Sequence, residues 1–224
     1  GTVFAGAFGD FGYLAPDSLG NSQFISLVEH LDPADREFTE VWRIHCTGRG
    51  TFFRTRSKLY FWANNEFKIL RTESSFSLSS VVNDTLYIEE YGKGIMKTAG
   101  DSLIRIPGSE RLSPLGLVAT VPYDSHHKLF CSNQKGLLLF NGKTISPFTS
   151  PVNAFIRENG LSSAVALPGN KFAIGTYRRG ACIIDKTGTV LQVLDISSGL
   201  RNEDIKKLYC DSQGMLWMAL NSGI

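Results

Sequence analysis

No apolar run in this 224-residue chain approaches the roughly 18 residues that a membrane helix needs. The longest, around Gly136 to Phe140, is strand-sized, and no membrane insertion is expected. A strong charge of either sign is also missing. Twenty-three Lys and Arg stand against 21 Asp and Glu, for a net charge of +2, which gives no reason to expect nucleic acid as the partner. Charged residues make up 20% and hydrophobic residues 42%, a balance that excludes a disordered chain. There is no secretory leader, and Gly1 heads a strand-like run, so the natural start is expected upstream.

Cysteine pairs at metal-ligand spacing are absent too. Cys46, Cys131, Cys182 and Cys210 are far apart, no His lies at zinc-site distance from any of them, and all four are expected to be buried, unpaired thiols. No helix-length amphipathic segment is evident, which excludes a helix bundle. One short helical insertion is expected over Val152 to Arg157, with Ser150 capping it and Pro151 in the first helical position.

What the chain has is glycine, aromatics and a repeat. Four segments align: Leu86 to Gly94, Leu129 to Gly136, Phe172 to Gly180 and Leu216 to Gly223. Their first residues are spaced 129−86 = 43, 172−129 = 43 and 216−172 = 44 apart. Each copy is a β-rich run, a polar tip, a glycine and a second apolar run, which describes a hairpin whose glycine takes positive φ. Weaker copies lie at Thr51 to Trp62, with Ser57 where the glycine would fall, and at Val3 to Tyr13. A further strand follows each hairpin (Thr144-Ile145, Thr189 to Leu191), and one precedes it, clearest in Ile205 to Tyr209. Four strands in about 43 residues is the arithmetic of a β-propeller blade. The expected fold is therefore all-β, a partial β-propeller of about five blades of four antiparallel strands. Residues 1–224 are expected to form a segment of one propeller domain, cut within a repeat at both ends and completed by the rest of the propeller or by self-association.

The last copy is the most specific. Gly199-Leu200-Arg201-Asn202, then Asp211-Ser212-Gln213-Gly214 and Leu216-Trp217-Met218-Ala219, resembles the two-component regulator propeller repeat. The opening Val3 to Leu14, with Ser26-Leu27, is similar to the propeller half of bacterial ligand-binding sensor proteins. The resemblance implies a sensory domain without enzymatic activity, most often periplasmic, from a signalling protein with a three-tyrosine domain and a histidine kinase or helix-turn-helix output. A cytoplasmic site is not excluded by it. On physical grounds Asp211 and Gly214 suit a tight turn, Trp217 is large enough to fill the space between blades, and Gly175 and Ala219 permit close backbone approach.

No catalytic motif is present, and neither a metal site nor a cofactor is expected. His126-His127 are adjacent and read as a turn. Glu89-Glu90 are adjacent as well, one expected to face a neighbouring blade and the other solvent. The hairpin tips carry more chemistry: Arg54, Arg56, Lys58, Lys93, Lys135, Arg178 and Arg179, with Tyr91 and Tyr177 at matching positions and Asn133 and Asn221 in two others. The hairpin tip and the connection into the next blade lie at one face of a blade. Tyr91, Lys93, Asn133, Lys135, Tyr177, Arg178, Arg179 and Asn221 are therefore the candidate ligand-binding residues, suited to a small molecule or an acidic oligosaccharide. The competing readings are a solvated rim on a protein-docking or dimerisation platform, and a propeller lyase or hydrolase.

Overall fold

Alternation of apolar side chains along short strands, with both strand faces needing cover, is what organises this chain. In the computed structural model, which describes residues 1–100 and 102–223, the strands form six antiparallel sheets. Sheet I holds β1 (Val3–Gly6), β2 (Phe11–Pro16) and β3 (Ser22–Ser26). Sheet II holds β4 (Arg43–Thr47), β5 (Gly50–Arg54), β6 (Lys58–Ala63) and β7 (Glu66–Arg71). Sheet III follows with β8 (Phe76–Val82), β9 (Thr85–Glu90), β10 (Gly94–Ala99) and β11 (Ser102–Arg105). Sheet IV is β12 (Leu117–Pro122), β13 (Lys128–Ser132), β14 (Gly136–Phe140) and β15 (Ile145–Pro147), and sheet V is β16 (Leu161–Leu167), β17 (Lys171–Thr176), β18 (Ala181–Ile184) and β19 (Val190–Leu194). Sheet VI pairs β20 (Ile205–Cys210) with β21 (Leu216–Leu220). The repeated hairpins, the strands before and after them and the total of about five blades all match the expected pattern.

The chain divides into two compact units, Gly1–Tyr91 with Met96–Ile104, and Gly92–Ile95 with Arg105–Ile224. Within the first, β4 lies beside β1 and β8; within the second, β16 lies between β12 and β20. Within each unit, successive sheets thus set their first strands side by side and stack face against face. Neighbouring residues on one strand feed different cores. Phe53 joins Phe11, Leu27 and Tyr60, while Phe52 joins Leu59, Leu86 and Ile88. In the second unit Ile174 and Cys182 pack with Leu129, Cys131 and Leu161, whereas Ala173 and Ala181 pack with Ile205 and Leu208. A sheet buried on both faces by other sheets is what a blade requires, and it explains runs such as Leu137-Leu138-Leu139 that do not alternate with polar residues.

The hairpin tips close as expected. Gly136 and Gly180 have φ of 72° and 58°. Sequence reading overlooked the hydroxyl that ends the strand before three of the tips. Thr55, Ser132 and Thr176 are all buried, and their Oγ atoms accept the amides of Lys58, Lys135 and Arg179 at 3.1, 2.9 and 3.1 Å. The tip of sheet II is one residue shorter, closed by the Thr55 amide donating to Lys58 O, and needs no positive φ at Ser57. The Asp211 turn also forms as read, its carboxylate accepting the Gln213 and Met215 amides at 3.0 and 2.9 Å. Gly175 is small for the stated reason, since a Cβ there would lie 2.8 Å from Ile205 Cγ2.

Other expectations need correction. Cys131 and Cys182 are buried, their thiols pushed up to about 12 by desolvation. Cys46 is exposed and Cys210 half-buried, because both sit at outward positions near strand ends. Glu89 and Glu90 are both buried. Glu89 accepts from Ser77 Oγ at 3.0 Å and Glu90 from the Thr72 hydroxyl, since sheet III is covered on both faces at this point. The helix α1 (Val152–Asn159) runs two residues beyond Arg157. Pro151 takes its N-cap position, and the Ser150 hydroxyl is buried without a partner rather than capping. The Val152 amide instead donates to Gly188 O at 3.3 Å. Trp217 is 48% exposed on the face of β21 turned away from Leu216 and Met218, and no further sheet covers that face among the described residues. Its indole N–H donates to Asp211 Oδ2 at 2.8 Å, so the residue braces its own turn.

One ionic network carries a prediction. The buried Asp35 carboxylate meets Arg71 Nη2 at 2.6 Å and Lys58 Nζ at 3.3 Å, and the Asp35 carbonyl accepts from Tyr60 Oη at 2.8 Å. Burial pushes the Asp35 carboxyl up, but the hydrogen bonds from Arg71 and Lys58 outweigh it and hold it below the ordinary carboxylate range. A carboxyl depressed in the folded state contributes stability that is complete above its unfolded value, about pH 4, and is lost as pH falls through its folded value. Melting midpoints measured between about pH 6 and pH 2 should therefore fall less steeply in Asp35→Asn than in wild type. Parallel curves for the two proteins would contradict this assignment.

Candidate ligand-binding face

Antiparallel pairing puts the end of a sheet's second strand beside the start of its first, so tip and incoming connection share one face. Hydrogen bonds fasten them together in the second unit. The Asn133 amide donates to Gly116 O at 2.9 Å, and Asn133 Oδ1 accepts the Leu161 amide at 2.8 Å. The Tyr177 amide donates to Gly160 O at 3.0 Å, Gly180 to Glu203 O at 2.8 Å and Asn221 to Asp204 O at 3.0 Å. These bonds hold the tip backbones and leave Lys135, Tyr177, Arg178 and Arg179 projecting into solvent. The Arg179 guanidinium lies 6.0 Å from the Phe155 ring centroid, and the Tyr177 ring lies over Gly160.

The eight sequence candidates therefore divide. Lys93, Asn133, Lys135, Tyr177, Arg178, Arg179 and Asn221 belong to the second unit and are exposed tip residues. Asn133 also spends its side-chain oxygen on the backbone. Tyr91 belongs to the first unit, is 61% exposed, and donates its amide to Ser75 O at 2.9 Å.

The tip of sheet II behaves differently from its reading as a solvated cluster. Lys58 is drawn inward by Asp35 and by the carbonyls of Ala34, Asp35 and Glu37 at 3.2–3.4 Å. Arg54 is buried, 4% exposed. Only Arg56 points freely outward. Beside them opens a groove of about 360 Å3 lined by Trp42, Arg54, Arg56, Ser75, Phe76, Ser77 and Leu78. Trp42, Ser75 and Ser77 were missed because they lie outside the aligned hairpins, Trp42 and Ser75 in the connections entering β4 and β8 and Ser77 at the start of β8. The rule that such connections share the tip face was the signal that could have found them. A second trough, of about 450 Å3, runs along β21 between Leu200, Met215, Trp217 and Leu220. Among the described residues, no group of three or more His, Cys, Asp or Glu side chains is placed to hold a metal ion. His126 and His127 lie in a bend whose amides both donate to Asp124 Oδ1, at 2.8 and 2.7 Å.

No family model matches the sequence, and no curated protein matches it either. Solved structures do resemble it. An extracellular domain assigned to a hybrid two component system from B. thetaiotaomicron superposes with a TM-score of 0.67 over 80% of this chain, at 17% identity. The WD40 β-propeller domain of Doa1 does so with a TM-score of 0.65 over 96%, at 14% identity. The fold is a β-propeller. An extracellular domain assigned to a one component system of B. thetaiotaomicron aligns over the full chain with a TM-score of 0.62 and 11% identity. This chain spans 25% of the length of the first of these structures and 39% of the last, so the propeller blades seen here correspond to a part of those domains. Two of the similar structures are thus extracellular domains assigned to signalling systems, in line with the resemblance of the repeat. No helix among the described residues is long and apolar enough to cross a membrane.

Proposed function

We propose that this propeller chain is a non-enzymatic sensory element of a bacterial signal-transduction protein, lies outside the cytoplasm, and binds a small molecule or glycan at its tip face. The observation that carries the reading is the set Tyr177, Arg178 and Arg179, exposed side chains on a tip whose backbone is bonded to the incoming connection. A ring for stacking on a sugar face and guanidinium groups for carboxylates are presented on a rigid base, so little ordering cost is left to binding. The likeness to extracellular domains of signalling systems supports the same reading. A protein-docking or self-association role is the second reading, favoured by the apolar trough beside Trp217.

Calorimetric titration with a panel of acidic and neutral oligosaccharides tests the proposal. Combined replacement of Tyr177, Arg178 and Arg179 by Ala should abolish binding of any neutral oligosaccharide found and weaken that of acidic ones. Its stability cost should be limited to about 0.5–1 kcal/mol from the lost contact between Arg179 and the Phe155 ring. Undiminished affinity in the triple variant would reject the tip as the binding element.

A further inference from the structure

The groove of the first unit has a feature that ordinary tip residues lack, a buried cation without a counter-ion. Arg54 is 4% exposed. Its Nη1 donates to Phe76 O at 3.2 Å, and its Nε is buried with no acceptor. No carboxylate pairs with it among the described residues. Its register partner across the sheet is another arginine, Arg43, whose own Nη1 donates to Trp42 O at 3.0 Å. Burial and then the charge of Arg43 lower the Arg54 pKa to about 10, which leaves it charged at neutral pH. Arg56, two residues on, adds a third positive group to the same end of the sheet. A buried charge without compensation is costly, so Arg54 and Arg56 lining one open groove, with Arg43 paired beside Arg54 in the sheet, ask for an anion.

The other walls narrow the class of anion. Trp42 is 54% exposed and lines the groove, offering an indole. Ser75 and Ser77 line it as well, and Ser77 Oγ donates to Glu89, which leaves that hydroxyl oxygen to accept. A volume of about 360 Å3 is near the lower end of small-molecule sites, enough for a ring or two. We infer that this groove binds an acidic sugar. Its carboxylate lies toward Arg54 and Arg56, its ring stacks on Trp42, and its hydroxyls meet Ser75 and Ser77. The inference goes beyond the sensory reading, needs no signalling role, and does not involve Tyr177, Arg178 or Arg179.

The test is titration of the chain with D-glucuronate, D-glucose and inorganic phosphate, followed by calorimetry and by the shift in melting midpoint. Glucuronate should bind and raise the midpoint, while glucose and phosphate should bind at least about tenfold more weakly. Arg54→Met should weaken glucuronate at least about thirtyfold, as expected when one partner of a desolvated charge pair is removed. Without ligand, it should melt at or above the wild-type temperature, because it removes an unpaired buried charge. Trp42→Ala and Arg56→Ala, both at exposed side chains, keep the test open if Arg54→Met fails to fold. Each should weaken glucuronate by about threefold to tenfold. The triple Ala variant at Tyr177, Arg178 and Arg179 should bind glucuronate like wild type, so failure here and failure of the tip proposal are separable. Equal binding of glucose or phosphate, or wild-type affinity in Trp42→Ala and Arg56→Ala, would overturn the inference.

Discussion

Gly180→Ala is expected to cost the fold about 3 kcal/mol or more, lowering the urea midpoint and the melting temperature together. Two terms add at this position. The residue has φ of +58°, a conformation that costs an L-residue about 1 kcal/mol. A Cβ there would also stand 2.0 Å from Leu194 O, and that acceptor is backbone at the end of β19, with no side chain to swing aside. The Gly180 carbonyl accepts the Thr176 amide and its amide donates to Glu203, so moving it strains the tip and the connection into sheet VI at once. Gly142→Ala is the control. It has φ of +92° but meets nothing within 4 Å, and should cost only about 1 kcal/mol. Equal losses at the two positions would show that close packing at the Gly180 tip contributes nothing.

Phe11→Ala is the second large effect, expected at about 4 kcal/mol by urea unfolding. The ring is fully buried, stacked on Phe53 with centroids 4.4 Å apart, and touches Tyr60, Phe38 and Phe67 at 5.1, 5.3 and 5.8 Å. Surrounding rings on three other strands and a connecting segment cannot all collapse into the vacated space, so a cavity term adds to the lost transfer energy. Phe24, 42% exposed on β3, should cost less than about 1 kcal/mol on the same change. A Phe11→Ala loss as small as that of Phe24→Ala would mean that sheets I and II do not depend on this aromatic stack.

The contrast between sheets II and V shows how far pattern alone carries. At Gly180 the tip chemistry is local: a turn needing positive φ calls for glycine, and the residue type reports it. At the tip of sheet II the same position holds Ser57, and the aligned pattern weakened there. The tip is simply shorter by one residue and closed by the Thr55 and Lys58 bonds. Arg54 and Lys58 looked equivalent to Arg178 and Arg179 because all are basic residues at or near a tip. Burial separated them, and burial is set by residues far along the chain: Asp35, which captures Lys58, and Phe76, whose carbonyl accepts from Arg54. Glu89 and Glu90 were misjudged for the same reason. Alternation predicts one face wet, but both faces of this sheet are covered, and each carboxylate finds a hydroxyl 12 or 18 residues upstream.

Strand number, hairpin positions, the 43-residue period and the all-β propeller blade were legible in the residues by themselves. They follow from short-range rules, alternation, turn chemistry and repetition, that a linear reading can apply. Which basic tips stay in water, which arginine is buried without a counter-ion, and which indole lines a groove were decided only by stacking one sheet on another. Those properties depend on desolvation by side chains distant in sequence, and no local pattern encodes them.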